Sequence, residues 1–190
     1  MESVFNSYFY PKSICVVGAS SKPKSLGYEL TKSIKQYGYS GKLFLINPKS
    51  DEVLGYKCYP TIETVSEQEE KRILELVRNS NARLVGPNCM GIINTFHEIK
   101  MNATFVAEEP QNGKMAFCSQ SGAIGAAVLN SLRETDIRFS QFISVGNKAD
   151  VSENDLLEFW QKDKNVSVIT YYLESFEAGE KFLKYFIDEK

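Results

Sequence analysis

Four segments of the sequence place hydroxyls, amides, lysines and glycines directly after short apolar runs. They are VGASSKPKSLGYEL (17–30), INPKS (46–50), RLVGPNCMGIIN (83–94) and CSQSGAIG (118–125). Backbone N–H groups at the start of a helix, with lysines beside them, form a ready site for an anion. Proline has no N–H to give to a sheet ladder, so a Gly-Pro pair marks the end of a strand. The segments therefore predict a site for a small, negatively charged ligand.

The first two segments predict a cationic phosphate site. Its candidate residues are Gly18, Ala19, Ser20, Ser21, Lys22, Pro23 and Lys24 in the first segment, and Asn47, Pro48 and Lys49 in the second. The first segment is not a GxGxxG motif, and a plain strand-to-helix loop is its other interpretation. Dinucleotide folds place an acidic residue after the second strand to hold a ribose, whereas this chain has Lys49. A phosphate-bearing ribose fits this loop better than NAD.

The other two segments predict a polar corner and an oxyanion site. We expect a strand over residues 82–86 to end at Gly86 and leave Asn88 and Cys89 on the loop beyond it, where open parallel sheets bind ligands. The fourth segment brings a second group to the first turn of a helix with a small apolar interior: Ser119, Gln120, Ser121 and Gly122. An oxyanion is the expected ligand there. The other interpretation is that Ser121 only caps the helix.

Alternating strand and helix patterns position these segments. Apolar runs predict strands at 14–18, 42–47, 82–86, 114–119, 141–145 and 166–173, and amphipathic patterns predict helices at 27–37, 66–79, 121–135, 153–161 and near the end of the sequence. Such alternation favours parallel sheets with helices on both faces. The polar segment 97–113 is the expected linker. The predicted fold class is α/β, in two units spanning residues 1–110 and 111–190.

Composition narrows the classes of partner. The 190 residues are 43% apolar and 24% charged, with a net charge of −2 and no basic cluster, so neither nucleic acid nor membrane is an expected partner. Without a signal sequence, a cytoplasmic location is expected. The four cysteines lack metal-binding spacing and no metal site is predicted. Cys15, Cys58 and Cys118 are expected to pack as small hydrophobic residues.

Six segments in order resemble the signature segments of the NDP-forming acyl-CoA synthetases, relatives of the succinyl-CoA synthetase α subunit: FYPKSICVVGASSKP, GYSGKLFLINPKSDEVLGYKCYPTIE, RLVGPNCMGIIN, GKMAFCSQSGAIG, FISVGNKADVSENDLLEFW and YYLESFEAGEKFL. The resemblance implies a Rossmann-like CoA-binding domain followed by a flavodoxin-like domain, both built on parallel three-layer sheets. In that family CoA and an acyl phosphate, made from a small carboxylic acid, form the thioester. A phosphohistidine exchanges phosphate with ATP or ADP and Mg²⁺ in an ATP-grasp domain, which these residues do not include.

The resemblance also implies a role for each candidate group. The loop from Gly18 to Lys24 and the residues Asn47 to Lys49 match positions that hold the CoA nucleotide and its phosphates. Pro87, Asn88 and Cys89 match the corner beside the CoA thiol, where the resemblance implies that Asn88 and Cys89 are catalytic together with Glu174. Ser119 to Gly122 match the helix start that receives the phosphohistidine. Glu174 matches a residue that contacts the phosphohistidine ring, although a solvated carboxylate at a strand end is its other interpretation. Residues 146–150 match a loop of the family by their position in the sequence, and no role is assigned to them.

Two departures separate this chain from the pattern. The family carries about 30 or more additional residues, at least one βαβ unit, where Thr61 to Glu69 here connect two segments directly. The phosphohistidine segment is also missing, and the only histidine, His97, lies in an unrelated context. The isolated chain is therefore expected to be inactive and to associate with itself or a partner. Three functions remain open: a shortened part of the synthetase, a non-catalytic CoA-binding module, and an NAD(P)-dependent oxidoreductase, which is the least favoured.

Overall fold

The computed structural model describes residues 6–59, 83–106, 110–132 and 135–187. Its helices are α1 (Asn6–Phe9), α2 (Leu26–Tyr37), α3 (Gly122–Ser131), α4 (Glu153–Lys162) and α5 (Gly179–Ile187). Its strands are β1 (Ser13–Val17), β2 (Lys42–Ile46), β3 (Glu52–Val53), β4 (Tyr56–Tyr59), β5 (Gly91–Asn94), β6 (Met101–Thr104), β7 (Asn112–Ser119), β8 (Phe139–Ser144) and β9 (Val168–Tyr172). The predicted helix at 66–79 and the predicted junction at 61–69 lie outside the described residues.

The first unit is a four-stranded sheet in the order β1-β2-β4-β3. Strands β1, β2 and β4 run parallel, while β3 is antiparallel to β4. Helix α2 begins at its N-cap Ser25 and ends at Gly38, whose φ of 90° permits the left-handed C-cap. It buries Ile34 against Val16 and Leu45. The predicted strand–helix–strand unit is confirmed.

The second unit is a five-stranded sheet in the order β6-β5-β8-β7-β9. Strands β8, β7 and β9 are parallel, as the alternating pattern predicts. Helix α3 packs on one face through Leu129 near Phe117 and Phe142. On the other face, Leu156 and Trp160 of α4 join the core. The α/β class, with helices on both faces of this sheet, is confirmed, and no helix among the described residues is both long and apolar enough to cross a membrane.

The expectation that both sheets are entirely parallel is wrong, because β5 pairs antiparallel with both β6 and β8. The segment 97–113 is likewise not simply a linker. Residues 101–104 form strand β6, which lies next to β5 in the second sheet. The units are also in contact, since Ser33 of α2 donates a hydrogen bond to the Val106 carbonyl at 3.4 Å and Tyr37 donates to the Pro110 carbonyl at 2.9 Å.

Candidate functional site

The two cationic loops lie side by side at the carboxyl ends of β1 and β2. The Asn47 side-chain amide donates to the Ala19 carbonyl at 2.8 Å and to the Ser50 hydroxyl at 3.2 Å. The Ser21 and Ser50 hydroxyls are 3.1 Å apart. Lys22, Lys24 and Lys49 are exposed, as are Pro23 and Pro48. The structure therefore brings together the two segments that were predicted to share a phosphate site.

The start of α2 lies close to the end of β1, and this close approach shapes the first of these loops. Gly18 has a φ of 81°, and a Cβ on Gly27 would lie 2.0 Å from the Gly18 carbonyl oxygen. Because only glycine permits this approach, the amino end of α2 sits directly beside the end of β1. Ser20 accepts a hydrogen bond from the Lys22 amide at 3.1 Å, and Ser25, not Ser20 or Ser21, caps the helix. The Ser20 and Ser21 hydroxyls are therefore not used to cap α2.

The polar corner at Pro87–Cys89 is built differently from the prediction. Residues 83–86 do not form a strand. Their backbone pairs with the loop 147–150 instead, because the Ala149 amide donates to the Gly86 carbonyl at 3.2 Å and the Asn147 amide donates to the Pro87 carbonyl at 3.0 Å. The corner precedes β5, and the described residues 83–86 that lead into it are not a strand. It still lies at the carboxyl edge of the parallel strands, since Gly91 pairs with Ser144, the last residue of β8.

An ion pair fixes the start of this corner. Arg83 contacts the Asp150 carboxylate through Nε at 2.8 Å and through its terminal nitrogen at 3.0 Å. The Leu84 amide and the Tyr8 hydroxyl donate to the same carboxylate at 2.9 and 3.1 Å. Burial alone would raise the pKa of Asp150, but the hydrogen bonds from Arg83 and Leu84 outweigh it and the pKa is lowered. Asp150 is thus a charged anchor for residues 83–84.

Cys89 is half-buried at the corner, and its thiol lies 3.5 Å from the Val85 carbonyl oxygen. Burial raises the pKa of Cys89. A thiol is a nucleophile only as the thiolate, so a raised pKa keeps it unreactive. Asn88 is exposed, with a φ of 54°, and its amide nitrogen is 3.5 Å from the Asn147 side-chain oxygen. This chemistry favours a binding role for Cys89 over nucleophilic catalysis.

The helix start at Ser119–Gly122 lies against the corner. Ser121 is the N-cap of α3 and accepts a hydrogen bond from the Ile124 amide at 3.4 Å. A Cβ on Gly122 would lie 3.7 Å from the Met90 side chain, so this turn is adjacent to the residue that follows Cys89. Ser119 is fully buried and its hydroxyl donates to the Ser121 carbonyl at 2.6 Å. The first-turn amides of α3 and the Ser121 hydroxyl, not the Ser119 hydroxyl, are therefore the groups suited to an anion.

Gln120 connects this helix start to the loop after β9. Its side-chain oxygen accepts from the Glu174 and Ser175 amides at 3.0 and 3.1 Å. Its amide nitrogen donates to the Ser175 hydroxyl at 3.1 Å. Glu174 is exposed beside this connection. The structure thus places the backbone of Glu174 next to the helix start and gives Gln120 a structural role in holding that loop.

A buried ion pair holds the same loop from the other side. Lys148 and Glu153 are 3.0 Å apart, with side chains 4% and 0% exposed. Lys148 also donates to the Ser175 carbonyl at 2.9 Å, and Glu153 accepts from the Glu177 amide at 2.8 Å. Burial alone would raise the pKa of Glu153, but hydrogen bonds from backbone amides and from Lys148 lower it. Residues 174–177 are thereby fixed between Gln120 and the 148–153 segment.

A cleft of about 490 Å³ lies between the two units. One wall is the whole of β1 with Gly18 and the α2 residues Leu26, Leu30 and Ile34; the other consists of residues 83–85 and 89–92 with Met101, Ala103 and Phe105. The cleft therefore connects the cationic loop to the Cys89 corner. Cys15 lines it and is exposed, so the prediction of a buried Cys15 is wrong, whereas Cys58 and Cys118 are buried as expected.

Comparisons with known proteins match two domain families to this chain. Residues 12–82 match the CoA binding domain family and residues 112–187 match the family described as succinyl-CoA ligase like flavodoxin domain. The chain is 34% identical to acetate–CoA ligase [ADP-forming] I of Archaeoglobus fulgidus, over 93% of this chain and 32% of that protein. It is 32% identical to the α subunit of acetate–CoA ligase [ADP-forming] II of Pyrococcus furiosus, over 93% of this chain and 48% of that one.

A solved structure of acetyl-coenzyme A synthetase 1 from Ca. Korarchaeum cryptofilum, in complex with phosphate and ADP, is 31% identical and superimposes with a TM-score of 0.83, over 95% of this chain and 48% of that one. The chain belongs to the NDP-forming acyl-CoA synthetase family. It spans between a third and a half of the length of these relatives. It is a shortened member, because the aligned stretch of 220 residues is longer than the 190 residues present.

Three features of this family member escaped the sequence analysis. They are the Arg83–Asp150 anchor, the buried Lys148–Glu153 pair and Ser144, whose buried hydroxyl has no hydrogen-bond partner among the described residues. Arg83 and Asp150 are far apart in sequence, and no local pattern links them. Of these features, only the position of Glu153 had a local signal in the sequence. The Ser152–Asp155 capping box places Glu153 in the first turn of α4.

Proposed function

We propose that this chain binds CoA and supplies the CoA-binding part of an ADP-forming acyl-CoA synthetase. In the complete system, a carboxylic acid, CoA and ATP would be interconverted with acyl-CoA, ADP and phosphate through an acyl phosphate and a phosphohistidine. The ATP, ADP and Mg²⁺ would be bound by an ATP-grasp domain or subunit that associates with this chain. The observation that carries the proposal is the junction of the two cationic loops, which leads through the cleft to the Cys89 corner.

Each part of the site has a role in this proposal. Gly18 to Lys24 and Asn47 to Lys49 would hold the phosphates of the CoA nucleotide with lysines and backbone amides. Pro87 to Cys89 would lie beside the CoA thiol. The start of α3 would hold a phosphoryl group near that thiol, because its first-turn amides are at the positive end of the helix dipole. Glu174 would contact the phosphohistidine, from a loop fixed by Gln120, Lys148 and Glu153.

Titration calorimetry of the chain with CoA, NADH and ATP tests the proposal. We expect CoA to bind more tightly than NADH, because Lys49 stands where an NAD site would carry an acidic residue. Equal or tighter binding of NADH would favour an oxidoreductase and contradict the proposal. Absence of binding by CoA would contradict it as well.

A non-catalytic CoA-binding module is the second candidate, and the position of His97 favours it for the chain alone. Asn94 pairs with Gln141 near the start of β8, whereas Gly91 pairs with Ser144 at its end. Because His97 follows Asn94, it lies at the opposite edge of the sheet from the α3 start. The chain alone should therefore form no phosphoenzyme with ATP or an acyl phosphate. Acid-labile label that disappears in His97→Asn would exclude the non-catalytic module.

A further inference from the structure

The cleft between the units is deeper and more apolar than a nucleotide site needs. Along α2, the lining residues Leu26, Leu30 and Ile34 follow one another by single turns, and their exposure falls from 67% at Leu26 to 1% at Ile34. Eight residues of helix correspond to a depth of about 12 Å. Met101 and Ile92, on the opposite wall, are 1% and 8% exposed. The cleft thus runs from an open mouth to a buried apolar floor.

The mouth of the cleft coincides with the proposed CoA site. Gly18 and Gly27 line it on the side of the cationic loop, and Cys89 and Met90 line it on the side of the corner. Arg83 is the only charged residue among the lining residues described, and its guanidinium is bonded to Asp150. A ligand with a polar head at the mouth and an apolar tail inside matches this distribution of charge.

We propose that the cleft binds the apolar acyl group of a CoA thioester, so that the preferred substrates are acids with extended hydrocarbon chains. This inference rests on the proposed CoA binding. With the thiol at the Cys89 corner, the acyl carbons would continue past Met90 along β1, a strand of about 16 Å. The lining side chains Ile14, Leu30, Val85, Ile92 and Met101 offer apolar surface along that path. A volume of about 490 Å³ exceeds the needs of an acetyl group and lies in the range of ordinary ligand pockets.

The test measures the affinity of the chain for CoA, acetyl-CoA, butyryl-CoA, hexanoyl-CoA and octanoyl-CoA by calorimetry. Each methylene that is fully buried strengthens binding by about fourfold. We expect the dissociation constant to fall at least about tenfold from acetyl-CoA to octanoyl-CoA, even if only part of the chain is buried. Equal affinities across the series would overturn the acyl site and leave the CoA proposal intact. Failure of all five ligands to bind would contradict the CoA proposal itself.

Two variants that narrow the cleft test whether the acyl group binds inside it. Cys15→Phe adds a ring from the β1 wall at an exposed position, and Ala103→Phe adds one from the β6 wall. Each should reduce the affinity gain from acetyl-CoA to octanoyl-CoA by a larger factor than it reduces the affinity for CoA itself. Val168→Phe is the matched control, because Val168 is an exposed strand residue that does not line the cleft. If both filled variants keep the full gain, the acyl group binds elsewhere and the inference is wrong.

Protection of Cys15 from alkylation gives a readout that does not depend on substitutions. Cys15 is exposed in the cleft, while Cys58 and Cys118 are buried outside its lining. We expect saturating octanoyl-CoA to slow the reaction of Cys15 with iodoacetamide, measured on its peptide by mass spectrometry, more than saturating acetyl-CoA does. Equal rates of Cys15 modification with the two thioesters would count against an acyl chain beside β1.

Discussion

The residue type at Lys49 distinguishes between CoA and NAD as possible ligands. It follows β2, at the position where NAD-binding folds place an acidic residue, and its amide donates to the Asn47 side-chain oxygen at 2.7 Å. That hydrogen bond holds the backbone of the loop, while the side chain extends into solvent. The residue type could be read from the sequence. The contact between its loop and Ala19 could not, because it depends on how β1 and β2 pair.

Replacing Lys49 by Ala should weaken the binding of CoA more than the binding of dephospho-CoA, if the ammonium group meets the 3′-phosphate. Loss of one charge-assisted contact at an exposed site should cost about three- to tenfold in affinity. Calorimetry with both ligands measures the difference. Lys164→Ala, at an exposed lysine remote in sequence from both loops, is the control. An equal loss for both ligands would place Lys49 away from the 3′-phosphate.

Protonation of the Glu153 carboxylate should destabilise the folded chain. Its carboxylate is fully buried with Lys148 and accepts the Glu177 amide. Its pKa is lowered in the folded chain, so the unfolded chain binds the proton more readily as the pH falls. The stability that this group contributes is therefore present above the ordinary pKa of a glutamate, about 4.3, and is lost as the pH falls through the lower folded value.

Glu153→Gln should destabilise the chain by about 3–5 kcal/mol at pH 7, because Lys148 then remains buried without its counter-ion. Urea denaturation at pH 7 and at pH 4 measures the effect. The difference between wild type and variant should shrink at the lower pH. Glu158→Gln is the control, since Glu158 forms an exposed ion pair with Lys162 and should change stability by less than about 1 kcal/mol. A pH-independent difference would contradict the role of the Glu153 charge.

At the scale of elements, local patterns predict those strands and helices that follow one another in the chain. Strands β7, β8 and β9, with α3, α4 and α5 between and after them, were all predicted within a few residues. Strands β5 and β6 were missed. They are four residues each, and β5 is stabilised by pairing with β8, about fifty residues away in sequence. Such long-range pairing leaves no periodic signal in either strand.

The predicted corner strand was wrong for the same reason. The apolar run at 83–86 has the composition of a strand, but its backbone groups pair with residues 149–150. Gly146 makes this approach possible. A Cβ at that position would lie 2.2 Å from the Pro87 carbonyl oxygen and 2.5 Å from that of Asn88, and the φ of Gly146 is 54°. The loop 146–150 therefore packs directly against the corner at Pro87 and Asn88.

Gly146→Ala should destabilise the chain by at least about 1–2 kcal/mol, because alanine is disfavoured at this φ and its methyl group collides with backbone. It should also weaken CoA binding by displacing the corner. Denaturation and calorimetry measure the two effects. Gly179→Ala is the matched control, since its Cβ would meet only the Phe176 side chain at 3.7 Å. Equal stability of the two variants would show that the corner tolerates the displacement.

At the scale of the whole molecule, the first sheet carries an apolar face that is open to solvent. Val17, Phe44 and Tyr59 are 51%, 39% and 41% exposed, and the rings of Phe44 and Tyr59 are 6.4 Å apart. Their register partners place them on adjacent strands, since Val17 pairs with Ile46 and Ile46 pairs with Tyr59. The sequence analysis expected the chain to associate with itself or a partner, and exposed apolar residues on adjacent strands are typical of interaction surfaces.

We expect the chain to self-associate through this face at high concentration, because two such faces can bury their apolar side chains against each other. Light scattering across a dilution series should show a mass above 21.5 kDa that falls toward it on dilution. Substituting both Val17 and Phe44 by Lys should shift the midpoint to concentrations at least about tenfold higher, since burying a charge in an apolar contact is costly. Leu183→Lys, at a 61% exposed residue of α5, tests whether any added lysine has this effect. A wild-type chain that stays monomeric at millimolar concentration, or an equal shift in Leu183→Lys, would show that this face does not join copies of the chain.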